Sequence, residues 1–171
     1  MDGGLIKKYL MVKVINHFDL KQSVLDQIIE IKSFSWNYSY DEHSDWIKKN
    51  LNSDDVHFLI YNEDDILICY LNLVSVYLKE NNKKIPVYGV GNVCTRNKGT
   101  GEGRLLMNQL NSFLLDEKLK GLLFCKDNLV PFYKKFNWSK VSIVNSNNMI
   151  NTMIFNFNNL SENLKYDDRN F

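Results

Sequence analysis

Between Ile85 and Met107 the chain passes from a β-branched and aromatic run, through closely spaced glycines, into the apolar face of a helix, and this junction restricts the possible folds more than any other stretch. Ile85-Pro-Val-Tyr-Gly-Val-Gly-Asn-Val-Cys-Thr95 reads as a strand whose Gly89 and Gly91 point to a bulge or to a close approach of other backbone. Gly99, Gly101 and Gly103 then make a turn, after which Leu105, Leu106, Leu110, Phe113 and Leu114 describe one helical face reaching about Glu117. Gly121 to Cys125 is a short apolar strand, and a strand, helix, strand unit of this length makes a right-handed crossover between parallel strands. Upstream, Val56 to Tyr61 and Ile66 to Lys79 form a hairpin about the turn Asn62-Glu-Asp-Asp65, and Glu80 to Lys84 is a polar connection to the next strand. Three antiparallel strands in series therefore precede one parallel pair.

The flanking regions supply the covering helices and the remaining strands. Tyr9 to Ile15 is a strand, and Asp19 is placed to cap the helix that follows. From Leu20 to Ser33, Val24, Leu25, Ile28, Ile29 and Ile31 recur at helical spacing, which leaves Lys21, Asp26 and Lys32 for solvent. Phe34 to Tyr40 is an aromatic linker, and Asp41 to Leu51 carries Trp46, Ile47 and Leu51 on one face of a second, shorter helix. After Cys125, Asp127 or Asn128 caps a helix of about two turns with Pro131 in its first turn. Trp138 to Val144 and Thr152 to Phe157 read as two final strands joined by the polar loop Asn145 to Asn151, and residues 158–171 read as a loose polar tail.

Bulk properties exclude several classes of function. With 171 residues, 44% of them apolar, the chain builds one substantial core and not two domains. Lys plus Arg total 21 against 20 Asp plus Glu, so no long-range field draws the protein to a polyanion, and nucleic acid is not an expected ligand. Cys69, Cys94 and Cys125 lie in apolar runs and are odd in number, which suits reduced thiols in a cytoplasmic protein. No signal pattern opens the chain, and apolar runs such as Ile66 to Leu71 are too short to span a bilayer, so no membrane partner is expected. No metal site is expected either.

The chemistry written into the junction is anion binding. Adjacent backbone N–H groups converge at a helix N-terminus, where the dipole favours negative charge and glycines admit a pyrophosphate. No Gly-x-x-x-x-Gly-Lys-Ser/Thr is present, and the glycines follow the fourth predicted strand instead of the first, which disfavours P-loop and dinucleotide folds.

The element order and the glycine turn together resemble the GCN5-related N-acetyltransferase family, whose signature at this junction is Gln/Arg-x-x-Gly-x-Gly/Ala. Arg96-Asn-Lys-Gly99-Thr-Gly101 matches letter for letter, and Lys98-Gly-Thr-Gly101-Glu-Gly103 matches with lysine in the basic position. The family places apolar residues three and four positions after the last signature glycine. The first register puts Arg104 on that buried face, whereas the second puts Leu106 and Met107 there, so Lys98, Gly101 and Gly103 are preferred. Downstream, Leu122-Leu-Phe-Cys-Lys-Asp-Asn-Leu-Val-Pro-Phe-Tyr-Lys-Lys-Phe-Asn-Trp138 is similar to the family's strand, short helix and Tyr-x-x-x-Gly-aromatic ending, with Asn137 for the glycine. Its Leu-Val-Pro-Phe-Tyr wording resembles most the branch that contains aminoglycoside 2'-N-acetyltransferases. The resemblance runs over residues 8–157 and is densest from Val87 to Trp138.

The resemblance implies a single α/β domain over residues 8–157, with a twisted, mostly antiparallel sheet, a central splayed parallel pair and helices on both faces. It also implies acetyl-coenzyme A as cosubstrate, with the pantetheine arm against the backbone of Val93, Cys94 and Thr95. The pyrophosphate would lie on the turn formed by Lys98, Gly99, Thr100, Gly101, Glu102, Gly103 and Arg104, and Asn128 would also touch the cofactor. Tyr133 takes the place of the acid that protonates the departing thiolate, and amides near Val93 can stabilise the oxyanion. Ile85 to Thr95 contains no Asp or Glu to serve as base; His57, His43 and the Glu63 to Asp65 cluster are elsewhere. Trp36, Tyr38 and Tyr40 either border the acceptor pocket or simply pack. The expected acceptor is a small-molecule amine; a protein N-terminus, a lysine side chain, or no acceptor at all in a silent acyl-coenzyme A binding domain are the alternatives.

Overall fold

The computed structural model of the chain describes residues 10–81, 83–144, 150–158, 164–169 and 171. Residues 8 and 9, most of the polar loop expected from 145, and part of the expected tail lie outside the described residues. Among those described, β1 (Met11–Asn16), α1 (Gln22–Ser33), α2 (Tyr40–Asn50), β2 (Val56–Tyr61), β3 (Leu67–Glu80) and β4 (Lys83–Thr95) come first. They are followed by α3 (Glu102–Asp116), β5 (Gly121–Cys125), α4 (Val130–Lys134), β6 (Ser139–Val141), β7 (Ile143–Val144), β8 (Asn151–Phe155) and β9 (Leu164–Lys165). The strands form one sheet in the order β1-β2-β3-β4-β5-β8-β6, with β9 paired to both β3 and β7. Pairing along the main path is antiparallel except between β4 and β5.

Each face of the sheet is covered by its own helices. Ile28, Ile29 and Ile31 of α1 and Ile47 of α2 pack with Leu59, Tyr70, Val74 and Leu122 on one face, where each fully buried isoleucine contributes about 2 kcal/mol. Leu106, Met107, Leu110 and Leu114 of α3 pack on the other face with Phe58, Leu71, Tyr133 and Trp138.

Local signals explain most element ends, though not always the expected ones. Asp19 does not cap α1: it lies in a one-turn helix from His17 to Asp19, and the capping position is Lys21, with no side-chain bond. The backbone of that turn is instead tied to the α2–β2 connection, His17 N–H donating to Asp55 and Phe18 N–H to Ser53. At α2, Ser39 and Glu42 form a reciprocal capping box that orders the start of the helix. Neither Asp127 nor Asn128 caps the later helix: both lie in a short 3-10 turn leading into the five-residue α4. Asn137 ends α4 at φ 63°, the left-handed stop that a family glycine would make. The expected strand Trp138 to Val144 is broken into β6 and β7. The polar connection Glu80 to Lys84 is mostly strand, with Asn81 at the turn.

The loose tail is overturned at its described residues. Leu164–Lys165 adds to the edge of β3, Tyr166 is buried, and Arg169 pairs with the fully buried Asp55. Asp55 also accepts the N–H of Asn52 at 2.7 Å and of Ser75 at 3.1 Å. A run rich in polar residues is retained because its charges have fixed partners, which composition does not reveal. Arg169→Ala, which leaves Asp55 buried without its cation, is expected to lower stability by about 3 kcal/mol, read as a lower urea midpoint at unchanged slope. A change below about 0.5 kcal/mol would return this segment to the loose state.

Candidate active site

The parallel pair at the centre of the sheet is joined only briefly. Tyr88 pairs with Gly121 and Gly89 with Leu122, and the Tyr88 N–H donates to the Lys120 carbonyl at 2.8 Å. Beyond that point β5 stays with β8 through Leu123, Phe124 and Cys125, while β4 stays with β3, so the two strands part. A bulge accompanies the parting: Asn72 faces Gly91 and Tyr70 faces Cys94, so Asn92 and Val93 together oppose Leu71 alone. Asn92 takes φ 51°, a left-handed conformation that asparagine tolerates better than most residues. The bulge leaves the Val93 region out of regular ladder register beside the opening, where its amides were expected to face a reacting carbonyl.

The glycine turn follows directly. Gly99 and Gly101 lie at φ 80° and 90°, and Gly101 is the capping residue of α3. The turn is braced from within: Glu102 accepts from the Asn97 N–H at 2.7 Å and from its side-chain amide at 2.9 Å, and the Thr100 hydroxyl donates to the Asn97 carbonyl. The Glu102 carboxylate is thereby committed to the loop. Lys98 and Arg104 are exposed beside the turn. Leu106 and Met107 are fully buried, the packing that led to the Lys98, Gly101, Gly103 register. Arg96, the first residue of the rival register, is occupied elsewhere: its Nε donates to Leu67, its guanidinium pairs with Glu30 at 2.9 Å, and Phe34 lies under it.

Tyr133 belongs to the α3 and α4 layer, edge-on to Phe132 with centroids 5.2 Å apart. Its hydroxyl makes no hydrogen bond to any described residue. Burial first, and Cys125 second, push the phenol up to about 12, so it stays protonated and able to donate throughout the neutral range. Asn128 is exposed in the 3-10 turn after β5. Cys94 and Cys125 are buried thiols held in the neutral form by desolvation, as expected of small hydrophobes.

On the α1 and α2 face a cavity of about 440 Å³ is lined by Lys32, Trp36, Tyr38, Glu42, His43, Trp46, Asn92 and Phe171. Trp36 and Tyr38 reach it, while Tyr40 turns to Asp26 and Gln22. Lys32 was expected in solvent; it is 2% exposed and lies 4.4 Å from the Trp46 ring centroid. Helix spacing puts it on the same stripe as Ile28 and Ile29, and only its residue type suggested otherwise. Burial lowers its ammonium to about 8. The His43 Nε2–H donates to the Trp36 carbonyl at 3.3 Å, and desolvation lowers its pKa. His57 is fully buried between His17 and Tyr70, 3.0 Å from each, and burial drops it to about 3, which keeps it neutral. Glu63, Asp64 and Asp65 are exposed at the β2–β3 turn, away from this cavity.

Among the described residues no cluster of His, Cys, Asp or Glu is placed to hold a metal ion, and no helix is long and apolar enough to cross a membrane. No protein-family sequence model and no curated protein sequence matches the chain. Solved structures do match it. ElaA of Escherichia coli superposes with a TM-score of 0.60 at 16% identity, over 85% of this chain and 99% of that one. YhbS of Escherichia coli, a GNAT family N-acetyltransferase in complex with CoA, gives 0.63 at 11% identity, over 94% and 91%. The spermidine N-acetyltransferase SpeG of Vibrio cholerae, as a variant, gives 0.58 at 15% identity, over 85% and 92%. The parted β4–β5 pair, the glycine turn into α3 and the helices on both faces are thus the fold of the GCN5-related N-acetyltransferases, and this chain has that fold.

Proposed function

We propose that the chain is an acyl-coenzyme A dependent N-acetyltransferase acting on a small-molecule amine. The observation that carries this is the opening between β4 and β5 immediately beside the glycine turn, because a pantetheine arm can pair with the freed β4 backbone while its pyrophosphate meets the start of α3. YhbS, which shares the fold, was solved with CoA. In this reading Val93, Cys94 and Thr95 hold the pantetheine through backbone, and Lys98 to Arg104 surround the pyrophosphate, with Asn128 at the β5 side. A neutral amine attacks the thioester carbon, forming the C–N bond and a tetrahedral oxyanion that an amide near Val93 supports, and collapse of that intermediate breaks the C–S bond. The amine proton lost and the thiolate proton gained balance, the latter delivered through Tyr133.

The cavity supports a small acceptor over a protein, since Trp36, Tyr38, Trp46 and Phe171 enclose a volume of about 440 Å³. β4 carries no Asp or Glu, which favours one second reading, a domain that binds acyl-coenzyme A without turnover. Titration of acetyl-coenzyme A should raise the melting temperature, corresponding to about 4 kcal/mol at roughly 1,000 times Kd. Release of free thiol over an amine panel then separates enzyme from silent binder. No thermal shift at millimolar coenzyme removes both readings.

A further inference from the structure

We infer that Lys32 is the anchor for a carboxylate on the acceptor, so that the substrate is an amino acid with an apolar or aromatic side group and not a polyamine. The inference rests on the acetyltransferase reading and names the acceptor class for the same site. Lys32 lines the cavity, is 2% exposed, and pairs with no carboxylate among the described residues. Its neighbours are instead the indoles of Trp46 and Trp36, at 4.4 and 6.0 Å from the ammonium. An unpaired buried cation is costly, and a ligand anion removes that cost.

The other charged and titratable groups around the cavity do not pair with it, including the terminal carboxylate of Phe171, which stands against Gly91. Glu42 lies at the exposed end, its carboxylate accepting the Ser39 N–H at 2.7 Å as part of the α2 cap. His43 and His57 are both disposed to neutrality by desolvation, and Cys94 is a buried thiol. Asn92 lines the cavity and donates to Asn72 at 2.6 Å, and the Nδ2 of fully buried Asn72 has no acceptor. That Nδ2 stands 3.2 Å from where a Cβ on Gly91 would be, a position that is itself 2.7 Å from the Phe171 backbone carbon, so Asn72 is packed behind Asn92 and not on the cavity wall. The cavity therefore offers a buried cation, with aromatic walls for an apolar group.

Burial takes Lys32 to about 8, so at neutral pH it is mostly charged and competent to hold a carboxylate.

The test is calorimetric titration of the full chain, without coenzyme, with the standard L-amino acids, with phenethylamine, tyramine and isobutylamine as counterparts lacking the carboxylate, and with spermidine. An apolar or aromatic amino acid should bind about 10- to 100-fold more tightly than its decarboxylated amine, the range of one charge-assisted hydrogen bond. Lys32→Met, which replaces a buried cation by an apolar chain of similar length and so preserves the fold, should erase that ratio while leaving coenzyme affinity unchanged. The proposal is overturned if the amines or spermidine bind as well as the amino acids. It is equally overturned if no amino acid binds at millimolar concentration, or if Lys32→Met keeps the wild-type ratio. Coenzyme binding is measured separately, so a chain that binds amino acids and not coenzyme sinks the acetyltransferase reading alone.

Discussion

Tyr133→Phe is expected to lower turnover on the order of 10² to 10⁴-fold while coenzyme affinity stays nearly constant. The ring keeps its edge-on contacts with Phe132 and its place in the α3 and α4 layer. Only a hydroxyl that bonds to no described residue is lost, so the fold has little to lose with it. Release of coenzyme A thiol under saturating acceptor reads the chemical step, and calorimetry with coenzyme A reads the binding. Unchanged turnover would mean that water protonates the thiolate, and Tyr133 would then be a packing residue. A parallel loss of stability would instead identify a structural hydroxyl, and a melting curve detects it. The phenol is a suitable donor because burial holds it protonated, so the variant's rate should fall by the same factor across the neutral range.

Gly103→Val is expected to weaken coenzyme A binding by about 100-fold or more, the loss of two charge-assisted hydrogen bonds to phosphate. Gly103 lies in the first turn of α3, where a Cβ would stand 3.5 Å from the Phe132 ring, an ordinary contact. The fold therefore accommodates a Cβ there, at a helix-propensity effect below about 1 kcal/mol, and a melting curve of the variant checks that the valine methyls are accommodated too. What it obstructs is the approach of a pyrophosphate to the amides at the helix start. Gly101→Val would be a poorer test, because its φ of 90° is strained by any side chain. Wild-type affinity in Gly103→Val moves the anion site to the Gly99 side of the turn, where φ is 80° and nothing lies within 4 Å of a Cβ.

The central pattern was legible because it rests on short-range rules. β-Branched runs separated by Asn62 to Asp65 make a hairpin, glycines at φ 80° and 90° make the turn, and Leu106, Met107, Leu110 and Leu114 make a buried stripe. Helix spacing alone chose the register that leaves Arg104 exposed, and Arg96 then found other partners in Glu30 and Phe34. The two caps that failed, at Asp19 and at Asp127 or Asn128, failed because a capping residue in sequence competes with the 3-10 turns that tertiary bonds impose. Ser39 and Glu42 carried a readable capping-box spacing and were passed over.

Periodicity, glycine chemistry and turn composition were thus enough to establish element order, a mostly antiparallel sheet with one parallel pair, and a glycine turn at the start of α3, since each depends on residues within a few positions of one another. The cavity on the α1 and α2 face required the folded chain. Lys32 shares its stripe with Ile28 and Ile29, yet its charge argued for solvent until Trp46 and Trp36 were brought over it from the linker and α2. Arg169 and Phe171 belong to a polar segment whose retention depends on Asp55, 114 positions away, and on the side-chain-free surface of Gly89 and Gly91. Contacts across such separations depend on how α1, α2 and the end of the chain pack on the bulged β4, and a linear pattern of residue types carries no trace of that packing.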